Sequence, residues 1–184
     1  MKIFKIILPI AIIFFSVSHL KAFEIEKLKG YVYESNILVN VFYKDFPFQK
    51  LVLSLKEQKS PILIEYEFEI YRKRFLLRDI LLHKEIFYQK LYYDSEKNLY
   101  YLEDNFGLRT FEKAENAILS VTNLESYPVK YTLPSENKPL KLKVKVIITY
   151  TTHLSDDLRY TKKEHFKKIE TDKTVDFDEL LEGY

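Results

Sequence analysis

"PILIEYEFEIYRKR", residues 61–74, decides the fold. Ile62, Ile64, Tyr66, Phe68 and Ile70 alternate with Leu63, Glu65, Glu67, Glu69 and Tyr71. Period-two alternation over that length predicts a strand with one buried and one wet face. The wet face carries three glutamates in a row. A second stretch answers it: "LKLKVKVIITY", from Leu140, sets Lys141, Lys143 and Lys145 at the same spacing, with Leu140, Leu142, Val144 and Val146 opposite. Matched length, matched period and opposite charge predict that the two strands are antiparallel neighbours. The glutamates and lysines then share one face, where cross-strand charge pairs contribute roughly 0.2–1 kcal/mol each. Catalysis explains the acidic row less well. Alternate residues of a strand lie about 6.6–6.8 Å apart, which fits the roughly 6.5–9.5 Å of an inverting glycosidase. Equivalent exposed carboxylates, however, lack the unequal environments that make one of them an acid.

The same alternation runs outward from this pair. Strands are predicted at Phe23–Tyr33, with Gly30 as a bulge, and at Asn36–Tyr43. Others are predicted at Lys84–Tyr93 and Leu99–Glu103 around the polar turn Asp94–Asn98, and at Leu140–His153. Tyr127–Leu133, bounded by Pro128 and Pro134, reads as an edge strand, and Tyr160–Ile169 as one more. Phe48, Leu51, Val52 and Leu55 follow helical spacing up to Ser60-Pro61. Thr110 is placed to cap a helix over Phe111–Val121, with Glu112 in its first turn. Asp176 with Glu179 resembles a capping pair for a C-terminal helix. The fold expected is a mainly β (α+β) domain over residues 23–184, an antiparallel β-sandwich or strongly curved sheet with two or three short helices.

Residues 1–22 read as a secretory signal peptide. Lys2 and Lys5 precede an apolar run, Ile6–Phe15, and Ala22 offers a cleavage site. The run is short of the roughly 20 residues of a membrane span, so the chain is expected to be exported and periplasmic, with an uncleaved anchor as the alternative. The leader holds three of the 29 lysines and arginines, which leaves 26 against 27 acids, a net of −1. Nothing in that balance argues for nucleic acid or for an anionic membrane surface, and no membrane insertion is expected after signal cleavage. The chain has no Cys, hence no disulfides and no thiol chemistry. Its Lys, Glu, Ile and Tyr bias fits heat adaptation and an AT-rich genome alike.

No motif carries cofactor or metal chemistry. His83, His153 and His165 stand far apart in sequence, and Asp176–Leu180 lacks the ligand spacing of a calcium loop. Gly30, Gly107 and Gly183 are the only glycines, too few and too scattered for a nucleophile elbow or a phosphate loop. What stands out is aromatic: the chain has 15 tyrosines, and Tyr92-Tyr93 faces Tyr100-Tyr101 across one turn. Each Tyr-Tyr step sends one ring to each sheet face. The rings suit core and cross-strand pairing, or a platform for a sugar or a partner chain. Arg72, Lys73 and Arg74 end the long strand, with Arg78 nearby; a solvated strand end is one reading, a phosphate or acidic partner the other. Tyr92, Tyr93, Tyr100, Tyr101, Arg72 and Arg74 are the candidate interaction surface.

In "LKEQKSPILIEYEFEIYRKR", "YYDSEKNLYYL", "FEKAENAI" and "YPV" the chain resembles an uncharacterised family of exported bacterial proteins, domain of unknown function 4390. The resemblance spans about residues 36–154 and implies an envelope or regulatory role without catalytic residues. The family closes with a Leu-Pro-rich segment and a Trp-containing strand; here "LSDDLRYTKKEHFKKIE" stands in that place, and the chain has no Trp. The function expected is a non-enzymatic envelope protein that binds a partner protein. The alternative is a carrier of an apolar or sugar-containing ligand, and the remotest reading is a hydrolase.

Overall fold

The computed structural model describes residues 23–33, 36–57, 59–132, 139–153 and 164–177. The signal-peptide reading, Gly183 and the Glu179 half of the C-terminal capping pair lie outside them. Nine strands and two helices are described: β1 (Glu24–Tyr33), β2 (Asn36–Lys44), α1 (Phe48–Lys56), β3 (Ile62–Arg72), β4 (Ile80–Asp94), β5 (Leu99–Asp104), β6 (Gly107–Phe111), α2 (Ala114–Leu119), β7 (Asn123–Val129), β8 (Leu140–His153) and β9 (Glu164–Asp176). Every pairing is antiparallel, and the strands form two sheets, β1-β2-β7 and β6-β5-β4-β3-β8-β9. The expected antiparallel β architecture is what the chain adopts.

Alternation sets the layers. Ile62, Ile64, Tyr66, Phe68 and Ile70 of β3 are buried, as are Leu142, Val144, Val146 and Ile148 of β8 and Ile37, Val39 and Val41 of β2. Together with Leu51, Val52 and Leu55 of α1 and Ala114, Ala117 and Ile118 of α2 they form one core. Aromatic rings fill its centre. Phe68 stacks on Tyr127 at 4.8 Å, and Phe87 sits 4.6 Å from Tyr127 and 5.6 Å from Tyr66.

β8 lies beside β3, as expected, and the glutamates of β3 and the lysines of β8 do share one face. The register sets Glu67 opposite Lys145 and Glu69 opposite Lys143, while Glu65 faces Ile147 and Lys141 faces Tyr71. The close ion pairs run the other way. Lys84 of β4 donates to Glu69 at 3.0 Å and to Glu67 at 3.1 Å, Lys145 reaches Glu170 of β9 at 3.2 Å, and Lys141 reaches Asp79 at 3.0 Å. The ladder therefore spans four strands: the β3 glutamates lie between Lys84 of β4 and the β8 lysines, and the β8 lysines lie between β3 and Glu170 of the terminal strand β9. The β4–β5 hairpin around Asp94–Asn98 also forms as expected. The Asp94 carboxylate accepts the N–H groups of Glu96 and Lys97, and Asn98 takes φ 54.

Four expectations are corrected. Thr110 caps no helix: it lies in β6, and α2 is shorter, Ala114–Leu119, behind Lys113. Asp104 and Gly107 bracket a two-residue turn that folds 107–111 back on β5, and this pairing takes the residues a helix would have used. Gly30 is in register with Val39; the irregularity in β1 falls between Ile25 and Lys27. The strand through Tyr127 starts at Asn123 and ends at Val129; it is an edge strand, as Pro128 implied. The strand predicted at Tyr160–Ile169 runs on to Asp176, whose carboxylate takes the Lys73 ammonium at 2.6 Å; Phe177 after it is helical, and the rest of the expected C-terminal helix lies outside the described residues.

Candidate functional site

The two sheets meet on one side and part on the other. At the meeting side β1 lies along β9: the Ile25 N–H donates to Thr171 Oγ1 at 3.3 Å, and the Lys173 ammonium reaches the Glu26 carbonyl. At the opposite side the terminal strands are β7 and β6, and between them opens a cleft of about 600 Å³.

Its walls follow from local sequence. The turn Asn105-Phe106 puts an apolar ring at a hairpin tip, because Asp104 Oδ1 accepts the Phe106 N–H at 2.9 Å and holds the turn shut. Phe106 stays 66% exposed, yet its ring reaches Phe87 at 5.7 Å and Tyr127 at 6.0 Å. Leu108 and Leu119 add further exposed apolar surface. The floor is polar. The Asp104 carboxylate is almost wholly buried and takes the Arg109 guanidinium at 2.8 Å, while Gln89 beside it accepts the Tyr66 hydroxyl at 3.2 Å. On the β7 side the ladder with β2 breaks between Val39 and Val41, and Ser126 sits at φ 52. Asn40 Oδ1 accepts the Ser126 N–H at 2.6 Å, and the Tyr31 and Ser126 hydroxyls are 3.0 Å apart. This bulge turns Glu125 and Ser126 into the cleft wall.

β6 and β7 pair on one side only among the described strands. Alternate residues of each thus direct their N–H and C=O groups away from their partner strand. The cleft is a trough between two incomplete ladders, with a polar floor and the exposed apolar side chains of Phe106, Leu108 and Leu119 in its walls.

The residues singled out from sequence lie elsewhere. Tyr92 and Tyr101 stack across β4–β5 on the outer face at 5.3 Å and 11°, with Lys90 and Lys97 ammonium groups over their rings. Tyr93 and Tyr100 pair on the inner face at 4.9 Å, with Lys59 over Tyr93. Tyr101 is buried, and Tyr100 packs against the core. The structure thus brings the four tyrosines together as two cross-strand pairs, one on each face. Arg72 and Arg74 are remote from them, at the β3–β4 turn. His83 lies beside Glu85, Nε2 to Oε2 at 3.0 Å, and the side chains of His153 and His165 lie outside the described part. Among the described residues no group of three or more His, Asp or Glu side chains is arranged to hold a metal ion.

Within the acidic row the surroundings of Glu69 favour its ionised carboxylate. The Tyr71 hydroxyl at 2.7 Å, and then the Lys84 ammonium, hold the Glu69 carboxyl below its ordinary value. At the cleft, burial and then the neighbouring Glu85 carboxylate push the Tyr127 hydroxyl far up. Sequence reading missed Phe106, Leu108 and Arg109. The signal was present in "DNFG", a turn sequence between Tyr100-Tyr101 and a five-residue strand.

No protein family, curated protein or solved structure matches the chain.

Proposed function

We propose that this protein is a non-enzymatic, exported binding protein that takes an extended segment of a partner protein into the cleft between β6 and β7. One observation carries the reading: two strand edges, each without a second strand partner among the described residues, face a single trough containing exposed Phe106, Leu108 and Leu119. An added strand would satisfy those groups, and the apolar side chains would take alternate residues of it. Two further observations support it. The centre between the sheets is filled by Tyr66, Phe68, Phe87 and Tyr127, where a carrier would need an enclosed space. Glu69 is held in its charged form, the reverse of what a general acid requires. The signal-peptide pattern and the family resemblance in its motifs support an envelope setting.

Co-purification from the native envelope tests the reading. A partner should be retained by the wild-type chain and by Leu53→Asp, an exposed site on α1, and lost by Leu108→Asp and Phe106→Ser. Amide hydrogen exchange on the complex should show new protection along β6 and β7. A partner retained by both cleft variants, or protection confined to other strands, overturns the proposal.

A further inference from the structure

The turn between β3 and β4 carries the two most exposed large apolar side chains among the described residues, Phe75 and Leu76. Phe75 is 91% exposed, Leu76 88% and Leu77 65%, in three consecutive residues. Ile80 and Leu81, also exposed, continue the strip onto β4. Leu76 takes φ 61, a left-handed conformation uncommon for a bulky residue. The turn is nevertheless tightly built. The Arg74 N–H donates to Asp79 Oδ1 at 3.2 Å and Arg74 Nε to the Arg78 carbonyl at 2.8 Å. The Lys73 N–H donates to the Pro139 carbonyl at 3.0 Å. The apolar triplet is therefore presented outward by a closed loop.

Charge surrounds it asymmetrically. Arg72, Lys73, Arg74 and Arg78 lie within three residues of the triplet. The nearby acids are already taken: Asp79 holds Lys141 at 3.0 Å and Asp176 holds Lys73 at 2.6 Å. Among the described residues no carboxylate pairs with the guanidinium of Arg72, Arg74 or Arg78. The chain as a whole is close to neutral, so this is a local excess of positive charge around an apolar apex.

We propose that this tip docks on an anionic phospholipid bilayer, with Phe75, Leu76 and Leu77 entering below the headgroups and Arg72, Arg74 and Arg78 resting on the phosphates. A projecting apex offers a folded partner little concave surface to fill, whereas a bilayer deforms around it. Apolar side chains below a collar of cations match the layering of headgroup and acyl chain. Such docking needs no membrane-spanning segment, and the cleft plays no part in it.

The absence of Trp from the sequence makes the test local. In the full chain, Phe75→Trp places a single indole at the apex. Phe166→Trp places one on β9 opposite Thr151, at the far end of the sheet from the Asp176–Lys141 pair beside the tip. The apex indole should shift to the blue and be quenched by brominated acyl chains in vesicles of phosphatidylglycerol and phosphatidylcholine. Phosphatidylcholine alone should give only a weak response, and the β9 indole should stay unquenched. Charge reversal by Arg72→Glu, Arg74→Glu and Arg78→Glu together should raise the half-saturating lipid concentration about a hundredfold. Arg78→Glu alone, on the exposed turn, should raise it about fivefold to tenfold should the triple variant fold poorly. An apex indole left unquenched by anionic vesicles overturns the proposal, as does equal quenching by zwitterionic ones. A response to polyglutamate with none to vesicles overturns it too, and makes an acidic polypeptide the occupant.

Discussion

Ser126 is a serine in a glycine's conformation, and Asn40 is the reason it stays there. At φ 52 the backbone of a non-glycine residue is strained, and such conformations persist only where the surroundings hold them. The Asn40 side chain does so by accepting the Ser126 N–H at 2.6 Å. Asn40→Ala should destabilise the fold by about 1 kcal/mol, read as a lower urea midpoint with an unchanged slope. It should also speed amide exchange at Ser126. An unchanged midpoint would mean that the bulge is held by the β2–β7 ladder alone. None of this was legible in the sequence. Asp45, Lys59, Leu76, Asn98 and Ser126 all take positive φ, and of these Asp45 and Asn98 belong to types that tolerate it, Asn98 inside an evident turn. At Lys59, Leu76 and Ser126 the backbone departs from what residue type alone would set.

Strands were legible where one face was buried, because burial writes a period of two into the sequence. β3 and β8 are the clearest cases, and β8 matches its expected bounds to the residue. β6 left no such trace: "GLRTF" is five residues long and almost wholly exposed, so neither face imposes a pattern. Without that strand the cleft beside it was invisible, although Phe106 and Leu108 are plain in the chain. The charge ladder was legible in its faces but not in its contacts, since the flanking rows from β4 and β9 were not foreseen. The structure makes a sharper prediction than the bare β3–β8 pairing did. Glu69→Lys sets a third ammonium between Lys84 and Lys143 and should cost roughly 1–2 kcal/mol in urea unfolding. Adding Lys84→Glu should recover part of that loss, and salt should shrink both effects. Additive effects in that cycle would show that the rows do not interact.

At the scale of the molecule, the core is rich in tyrosine hydroxyls that burial keeps neutral. Tyr43, Tyr66 and Tyr150 are pushed up chiefly by burial, and Tyr127 by burial and the charge of Glu85. A raised folded value means that the folded chain retains protons the unfolded chain releases near pH 10. Stability should therefore be steady below about pH 9 and fall as the pH climbs through 10 and beyond. Phenolate absorbance should rise in two phases, the second coinciding with loss of near-ultraviolet circular dichroism. A single phase near pH 10 with the fold intact would refute the assignment. The antiparallel β class was readable from alternation, but the division into two sheets that join at β1–β9 and part at β6–β7 was not. That division depends on which strands are left at the ends, and no local pattern records it.

The observed register has a rival. It opposes two glutamates of β3 to two lysines of β8. Sliding β8 by two residues would oppose all three, Glu65 to Lys145, Glu67 to Lys143 and Glu69 to Lys141, with every apolar side chain still turned inward. Charge matching therefore guides the strands into contact without telling the two alignments apart. Lys141 does discriminate, since only the native alignment leaves it on Asp79. The partners lie far apart in sequence, so this choice is expected to follow closure of the more local β3–β4 hairpin around Asp79. The Lys141–Asp79 pair and the Lys73 N–H on the Pro139 carbonyl then act together as index marks of the sheet, and refolding without them would divide between two alignments that exchange only by parting the strands.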